Sequence, residues 1–376
     1  MNLNIVIMGL SITSSWGNGH ATTYRALIKA LAARGHKVTF LERDTRWYRE
    51  HRDLATSPDC RIELYDSLRD LPRRSALIAS ADLVVLGSFV PDGTAIGDWI
   101  TSTARGVTAF YDIDTPVTLK RLESGEGDYI SRALIPRFNI YLSFTGGPTL
   151  DLIEDQYGSP RARALYCSVD PEIHKPVPAS TRWALGYLGT YSEDRQPALD
   201  RLLLEPARRM PHERFVVAGA QYPKSIAWPA NVERIEHLPP SVHREFYCSQ
   251  RFTLNVTRAD MALAGWSPSV RLFEAAACGT PVISDRWPGI ETFFTQGKEI
   301  ALADATDDVM QLLGATSDKH HGSMAAAARA RVLRQHSAEQ RAIALENYYR
   351  EATGALSETS RIEPAELTAP MTSRAV

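Results

Sequence analysis

Short apolar runs alternate with polar or glycine-containing loops along most of this chain. The first run extends from Asn4 to Gly9 and is typical of a parallel strand that is buried on both faces. The loop SITSSWGNGH follows, and then a helix in which Tyr24, Leu27, Ile28 and Leu31 recur at i, i+3, i+4 and i+7. The strand HKVTFLE comes next, so these segments predict a right-handed strand–helix–strand unit.

The same alternation continues on both sides of a proline-rich segment. Residues 171–180, PEIHKPVPAS, hold three prolines and almost no helix-compatible pattern, so we expect the linker between two domains there. The predicted strands are 81–86, 107–111 and 139–144 before the linker, and 183–188, 214–218, 232–235, 252–256 and 281–284 after it. The predicted fold class is therefore α/β, with two Rossmann-like domains.

Chain length agrees with two domains, because 376 residues exceed what one hydrophobic core usually organises. We predict an N-terminal domain over 1–172 and a C-terminal domain over 173–335. A final helix is predicted over 336–354. The tail 355–376 is rich in Ser, Thr, Pro and Ala, and we expect it to be disordered.

Composition narrows the class of protein. Hydrophobic residues make up 44% and charged residues 23%, and the net charge of -2 offers no attraction to nucleic acid or to an anionic membrane. The four cysteines form no C-x-x-C, so neither structural zinc nor a disulfide framework is indicated. Because we find no signal-peptide pattern and no apolar run of about 20 residues, we expect a cytoplasmic protein without a transmembrane segment.

Candidate chemistry concentrates in the segment SPSVRLFEAAACGTPVISD, residues 267–285. It predicts a helix over 268–278 that is capped by Ser267. Arg271 and Glu274 are three residues apart, so they are neighbours on the helix. A cation such as Arg271 is disfavoured near a helix N-terminus, and a bound phosphate would reverse that penalty. The Glu274 carboxylate could accept hydrogen bonds from a ribose. The alternative is an exposed ion pair without a ligand.

FEAAACGTPVISD resembles the donor-site signature of GT-B glycosyltransferases. The chain resembles more closely the CgeB-like, spore-maturation-type group, through GHKVTFLERD, FYDIDTPVTL, TGG, SVDPEIHKPV, YLGTYSEDR, GAQYP and NVTRADMALAGWSPSVRLFEAAACGTPVISD. This resemblance implies parallel sheets facing a central cleft, with a nucleotide-sugar donor on the C-terminal domain and the acceptor on the N-terminal domain. It also implies that Glu274 binds the donor ribose and that Arg271 faces the diphosphate.

The chain departs from this pattern at one position. Related enzymes of the group 1 type carry a second glutamate eight residues before the one that matches Glu274, and here that position is Trp266. The donor sugar and the stereochemical outcome therefore stay open.

The leaving diphosphate needs stabilisation of its developing charge. Since the sequence shows no metal-ligand cluster, we expect a helix N-terminus and arginines to supply it, without metal or cofactor. The donor-binding candidates are Gly189, Thr190, Arg195, Arg258, Ser267, Ser269, Arg271 and Glu274. Arg195 and Arg258 could equally be solvated loop charges.

The N-terminal half offers candidates for acceptor chemistry. Gly17, Asn18 and Gly19 could bring backbone close to a phosphate or to the acceptor. The catalytic candidates are His20, Asp112 and Asp114. Both aspartates follow a strand and would point to one side if the extended geometry persisted. Helix capping and turn capping are the alternatives for these residues.

The leading hypothesis is a hexosyltransferase-like enzyme that uses UDP-sugar or GDP-sugar. Its acceptor is an unidentified glycan, lipid, protein or small molecule. A non-catalytic nucleotide-sugar-binding protein is an alternative, and so is a metal-dependent transferase that uses Asp112-x-Asp114. An NAD-dependent oxidoreductase with Glu42 on the cofactor ribose ranks lower, because the first turn lacks the close glycine spacing of G-x-G-x-x-G.

Overall fold

Two parallel β-sheets organise the chain in a computed structural model that describes residues 1–16 and 19–354. The strands of the first sheet are β1 (Asn4–Gly9), β2 (Lys37–Arg43), β3 (Arg61–Tyr65), β4 (Leu83–Gly87), β5 (Val107–Asp112), β6 (Ile140–Ser143) and β7 (Ala162–Ala164). The strands of the second sheet are β8 (Trp183–Leu188), β9 (Phe215–Ala218), β10 (Val232–Ile235), β11 (Gln250–Asn255), β12 (Val282–Ser284) and β13 (Ala301–Leu302). The predicted tail 355–376 lies outside the described residues.

Strand order reverses once in each sheet. The orders are β3-β2-β1-β4-β5-β6-β7 and β10-β9-β8-β11-β12-β13. The reversals fall beside β1 and β8, and in open parallel sheets ligands bind outside the carboxyl ends of the strands at such a reversal. The predicted α/β fold class with two parallel sheets is confirmed.

Three strands, β3, β7 and β13, were not predicted from the pattern. All three are sheet edges, and β7 and β13 have only three and two residues. An edge strand is covered on fewer sides than a central strand, so its sequence need not be continuously apolar.

Helices connect the strands and flank both sheets. They are α1 (Gly19–Ala33), α2 (Arg46–Arg49), α3 (Ser75–Ser80), α4 (Gly93–Thr103), α5 (Thr115–Glu123), α6 (Pro148–Asp155), α7 (Gln196–Leu199), α8 (Glu205–Arg209), α9 (His243–Cys248), α10 (Ala259–Ala264), α11 (Val270–Ala277), α12 (Ile290–Phe293), α13 (Thr306–Ala315), α14 (Asp318–Gln335) and α15 (Ala338–Ala352). A π-helical turn, Asp200–Leu204, joins α7 to α8, and 3₁₀ turns lie at Leu68–Arg74, Ile135–Arg137 and Pro240–Val242. No helix in the described part of the chain combines the length and apolarity that a membrane span requires.

Each sheet is buried on both faces, which explains the continuous apolar runs. In β1, Ile5 and Ile7 pack with Tyr24 of α1 on one face, whereas Val6 and Met8 belong to the core on the opposite face. Two corresponding cores cover the second sheet. The alternate side chains of a strand point to opposite faces, so covering both faces requires apolar residues at successive positions.

The helix α15 lies near the end of the described chain but packs against α1 of the first sheet. The Glu346 carboxylate accepts hydrogen bonds from Arg34 Nε at 2.7 Å and Nη2 at 2.8 Å, and His36 Nε2 lies 2.8 Å from it. His36 Nδ1 accepts the Leu3 N–H, so Nε2 carries the proton donated to Glu346. The hydrogen bond from Arg34, more than that from His36, lowers the pKa of Glu346 to about 2.

We expect Glu346→Gln to lower the free energy of unfolding at neutral pH by about 2 kcal/mol, because it leaves the half-buried Arg34 cation without its charge partner. A carboxyl with a lowered pKa stabilises the fold above its ordinary pKa, and this contribution is lost as the pH falls from about 4.5 towards about 2. Urea denaturation at several pH values measures both effects.

Glu291→Gln is the control, because Glu291 is exposed and lies on α12, which belongs to the other half of the chain. It should leave stability nearly unchanged. Equal losses in the two variants would contradict the role given to Glu346.

Candidate active site

A cavity of about 470 Å³ lies between the two halves of the chain. Its walls come from loops that follow strands of both sheets and from the first turns of α1 and α11. The lining residues of the N-terminal half are Leu10, Gly19, His20, Thr23, Tyr48, Phe89, Ile113, Asp114, Phe144, Thr145 and Cys167. Those of the C-terminal half are Arg195, Val256, Thr257, Arg258, Met261, Ser267, Pro268, Ser269, Val270 and Arg271. Eight of the sequence-predicted site residues therefore border one cavity: Gly19, His20, Asp114, Arg195, Arg258, Ser267, Ser269 and Arg271.

Arg271 is held at the carboxyl ends of two neighbouring strands. Its Nε donates to the Leu188 carbonyl at 2.6 Å, and its Nη1 donates to Asn255 Oδ1 at 2.8 Å. The guanidinium lies over the Tyr187 ring, 4.7 Å from its centroid. These contacts fix the cation beside the tip of α11, where only 7% of the residue is exposed.

Two further arginines border the same cavity. Arg195 Nη2 donates to the Thr190 carbonyl at 2.7 Å, and Arg258 Nε lies 3.9 Å from an Asp194 carboxylate oxygen. Burial lowers the pKa of Arg195, and the like charges of Arg271 and Arg258 lower it further. A bound anion would relieve this repulsion, because it places an opposite charge among the guanidinium groups.

The helix α11 begins later than expected. Ser269, not Ser267, is its N-cap residue, and the Ser269 hydroxyl donates to Asn255 Oδ1 at 2.8 Å instead of capping a helix N–H group. Ser267 Oγ pairs with Thr145 Oγ1 at 2.6 Å across the two halves. The predicted capping role of Ser267 is therefore wrong, since the extended backbone continues two residues further.

Gly189 and Thr190 do not line the cavity but lie behind its arginines. A Cβ on Gly189 would approach Tyr187 Oη to 2.6 Å and Arg271 Nη2 to 3.0 Å. Glycine at this position therefore leaves the room that Arg271 occupies. Thr190 is exposed and contributes its carbonyl to Arg195.

On the opposite wall, His20 and Asp114 form a pair. His20 Nε2 lies 4.0 Å from Asp114 Oδ2, with 11% and 25% of the two side chains exposed. Phe89 meets the His20 ring edge-on at 5.6 Å, and its φ of 61° is unusual for a bulky residue. Such strained residues cluster at functional sites.

Asp112 is fully buried and cannot contact a ligand in the cavity. Its carboxylate accepts hydrogen bonds from Tyr141 Oη and from Thr118 Oγ1. The expectation that Asp112 and Asp114 point to one side is therefore wrong, because the chain turns into α5 directly after β5. The two carboxylates cannot act as a joint D-x-D metal site in this arrangement, and Asp112 is not a catalytic candidate.

Gly17 and Asn18 lie outside the described residues. Gly19, the third residue of the predicted glycine loop, borders the cavity.

Trp266 does not line the cavity, and it links the two halves. The backbone N–H of Trp266 donates to the Pro288 carbonyl at 2.7 Å, and its backbone carbonyl accepts from the Gly146 N–H at 3.0 Å. A Cβ on Gly147 or Gly289 would collide with the indole ring, so the ring packs directly on both glycines. The residue that replaces the expected glutamate therefore has a packing role.

Glu274 borders a second cavity, of about 250 Å³, and not the first. There it meets His174 and His243, and the ligand-type atoms of the three side chains all lie within 4.8 Å of one another. Sequence reasoning missed both histidines, because one lies in the segment between β7 and β8 and the other begins α9. No sequence spacing signals this cluster.

Glu42, the residue expected to bind a cofactor ribose in the oxidoreductase alternative, is fully buried. Its carboxylate accepts hydrogen bonds from the N–H groups of Ile12 and Thr13 and from the hydroxyls of Ser11 and Thr13. Because the loop after β1 already uses this carboxylate, the arrangement does not favour dinucleotide binding.

Comparisons with known proteins identify the fold. The two sheets match GT-B glycosyltransferase structures, so the chain has the GT-B fold. Sucrose-phosphate synthase from Thermosynechococcus elongatus is 14% identical with a TM-score of 0.67, covering 94% of this chain and 100% of that one. HepE from Anabaena, solved with UDP and glucose, is 12% identical with a TM-score of 0.68 and the same coverage.

A glycosyltransferase from Rickettsia africae is 11% identical with a TM-score of 0.64, covering 94% of this chain and 99% of that one. Residues 195–347 match the family model described as glycosyl transferase-like. No curated protein matches the chain. The predicted likeness to group 1 glycosyltransferases is thus supported, and the closer resemblance to the CgeB-like group stays a prediction.

We expect Asp112→Asn to change how stability depends on pH. Burial raises the pKa of Asp112 to about 6 despite the hydrogen bonds that it accepts. Its favourable contribution is therefore complete below about pH 4 and is lost as the pH rises through about 6. The melting temperature of Asp112→Asn relative to wild type should rise by about 5 °C between these limits.

Asp151→Asn, at an exposed position on α6, is the control in the same melting experiment. A difference between Asp112→Asn and wild type that stays constant with pH, or falls as the pH rises, would count against this assignment.

Proposed function

We propose that the protein is a hexosyltransferase of the CgeB-like group that moves a sugar from a UDP-sugar or GDP-sugar to a hydroxyl acceptor, without bound metal or cofactor. The observation that carries the proposal is the convergence of Arg195, Arg258 and Arg271 on one cavity at the carboxyl ends of the second sheet. The neighbour HepE, solved with UDP and glucose, supports UDP as the first nucleotide to test.

The C-terminal wall binds the donor in this proposal. Arginines grip phosphate through paired donors, and the first turn of α11 adds N–H groups and the positive end of the helix dipole. Negative charge grows on the diphosphate as the bond to the sugar breaks, so these fixed positive groups act most strongly in the transition state. Glu274, one helical turn beyond Arg271, binds the donor ribose.

The N-terminal wall activates the acceptor. His20 takes the proton of the attacking hydroxyl, and Asp114 orients the imidazole and stabilises the imidazolium that forms. The two side chains lie 4.0 Å apart, and catalytic hydrogen bonds that are long without substrate commonly shorten in the substrate complex. Asp112, which was the other candidate base, has no access to the cavity.

We expect Arg258→Ala to weaken UDP binding about tenfold, because it removes one cation from the diphosphate site. Calorimetric titration with UDP measures the loss. Arg286→Ala is a matched control: Arg286 is similarly exposed and is also paired with an aspartate, but it does not border this cavity. Equal affinity in both variants and wild type would remove Arg258 from the site.

We expect His20→Asn to reduce the rate of sugar transfer by about 100-fold or more, while the affinity for UDP stays within about twofold. If no acceptor is known, the same loss is expected in the slow hydrolysis of a labelled UDP-sugar. Asp114→Asn should produce a smaller loss of the same kind. Both rates are measured by release of UDP. Wild-type protein that binds UDP but never releases it from a UDP-sugar, with any acceptor, would instead indicate a nucleotide-sugar-binding protein.

A further inference from the structure

The second cavity lies on the other side of α1 from the first. His20 and Thr23 of α1 face the first cavity, whereas Thr22, Arg25 and Ala26 face the second. The linker, the start of α9 and Glu274 of α11 close the opposite side. The two cavities therefore share α1 and the first turns of α11 as walls.

His174 is a buried side chain without a hydrogen-bond partner among the described residues. Only 5% of it is exposed, and neither ring nitrogen makes a hydrogen bond. A buried polar group in this state is costly unless a ligand or water pairs with it. His174 also borders the second cavity, so a ligand there can reach it.

Within the described part of the chain, only one of the two carboxylate oxygens of Glu274 accepts a hydrogen bond. Tyr247 Oη donates to Oε2 at 2.9 Å, whereas Oε1 lies 3.6 Å from His174 Nε2, which is beyond hydrogen-bond distance. The site thus presents one open carboxylate oxygen beside one open imidazole nitrogen. Two adjacent hydroxyl groups fit this arrangement, because each hydroxyl can both donate and accept.

In the proposed function Glu274 binds the donor ribose, which places the nucleoside in the second cavity. We propose that His174 is the residue that distinguishes ribose from 2′-deoxyribose there. This inference rests on the proposed function. The ribose 3′-hydroxyl donates to Glu274 Oε1, and the 2′-hydroxyl accepts from His174. A 2′-deoxyribose leaves one of these buried groups unpaired, which is the physical basis of the discrimination.

The distance along α11 agrees with this placement. Glu274 lies three residues beyond Arg271, a rise of about 4.5 Å. In a nucleotide the pentose is bonded directly to the first phosphate, so a diphosphate at the tip of α11 puts the ribose beside the next turn. Five apolar residues of the cavity lining suit a flat base: Ile12, Leu54, Pro58, Ile173 and Pro240. The charged side chains of Arg25, Lys29, Asp59 and Asp170 line the same cavity.

His243 completes the site from the start of α9. Its Nε2 lies 3.1 Å from the Leu238 carbonyl, so Nε2 carries a proton and Nδ1 is left as an acceptor. Burial lowers the pKa of His243, which keeps the ring neutral at neutral pH. The same three side chains could also hold a divalent cation, since two histidines and a carboxylate are a common zinc ligand set. The experiment separates these two ligands.

The test measures the affinities of wild type, His174→Ala and His174→Asn for UDP, 2′-deoxy-UDP and inorganic pyrophosphate by calorimetry. We expect wild type to bind UDP about tenfold more tightly than 2′-deoxy-UDP. In His174→Ala this ratio should fall to about two or less, with pyrophosphate affinity unchanged. His174→Asn, which keeps a hydrogen-bonding group, should restore part of the ratio.

Pyrophosphate binding shows that a variant is folded. His320→Ala is the control for replacing a histidine by alanine, because His320 is exposed, and it should leave the affinity ratio unchanged. If the ratio of the affinities for UDP and 2′-deoxy-UDP is the same in wild type and in His174→Ala, the inference is overturned while the proposed function stands. Binding of neither UDP nor pyrophosphate by wild type would overturn the proposed function and this inference together. Stoichiometric Zn²⁺ retained by wild type after dialysis and lost in His174→Ala would assign the cluster to a metal and overturn the nucleoside site.

Discussion

The guanidinium of Arg271 is held at the carboxyl ends of two adjacent strands, and the rest of the candidate site is arranged around it. The Leu188 carbonyl and the Asn255 side chain each accept one of its hydrogen bonds. Asn255 is itself oriented by donating to Ser284 Oγ at 2.9 Å on the next strand. Three neighbouring strands thus fix one cation, and a side chain held this way loses little further freedom when an anion binds.

Placing that cation in a closed site requires the two halves to meet. Trp266 packs on glycines of both halves, and the neighbouring Ser267 forms a hydrogen bond with Thr145. Between α5 and α10, Lys120 Nζ lies 3.0 Å from Asp260, an exposed pair that contributes little to stability. The buried contacts therefore set how the halves dock, and α15 adds a further connection by returning to α1.

The two walls of the first cavity differ in charge, and the difference suits a transfer reaction. Arginines concentrate on the C-terminal wall, while a histidine and an aspartate lie on the N-terminal wall. In the proposed function, the leaving-group charge and the removal of the proton lie on opposite sides of the transferred sugar. Separation of these tasks keeps the base away from the guanidinium groups, whose charge would make an imidazole a weaker base.

The sequence by itself determined the fold class and most of the site loops. Strands that are buried on both faces must be apolar at successive positions, so the alternation with polar loops was visible, and the loops after β1, β5, β8 and β11 carried the candidate residues. Tertiary structure alone decided which residues face a ligand. Asp112 and Asp114 look equivalent in sequence, but one is buried by the turn into α5 and the other borders the cavity. Likewise, His174 and His243 join Glu274 only because the linker and α9 pack against α11, and contacts between distant segments leave no periodic signal in the chain.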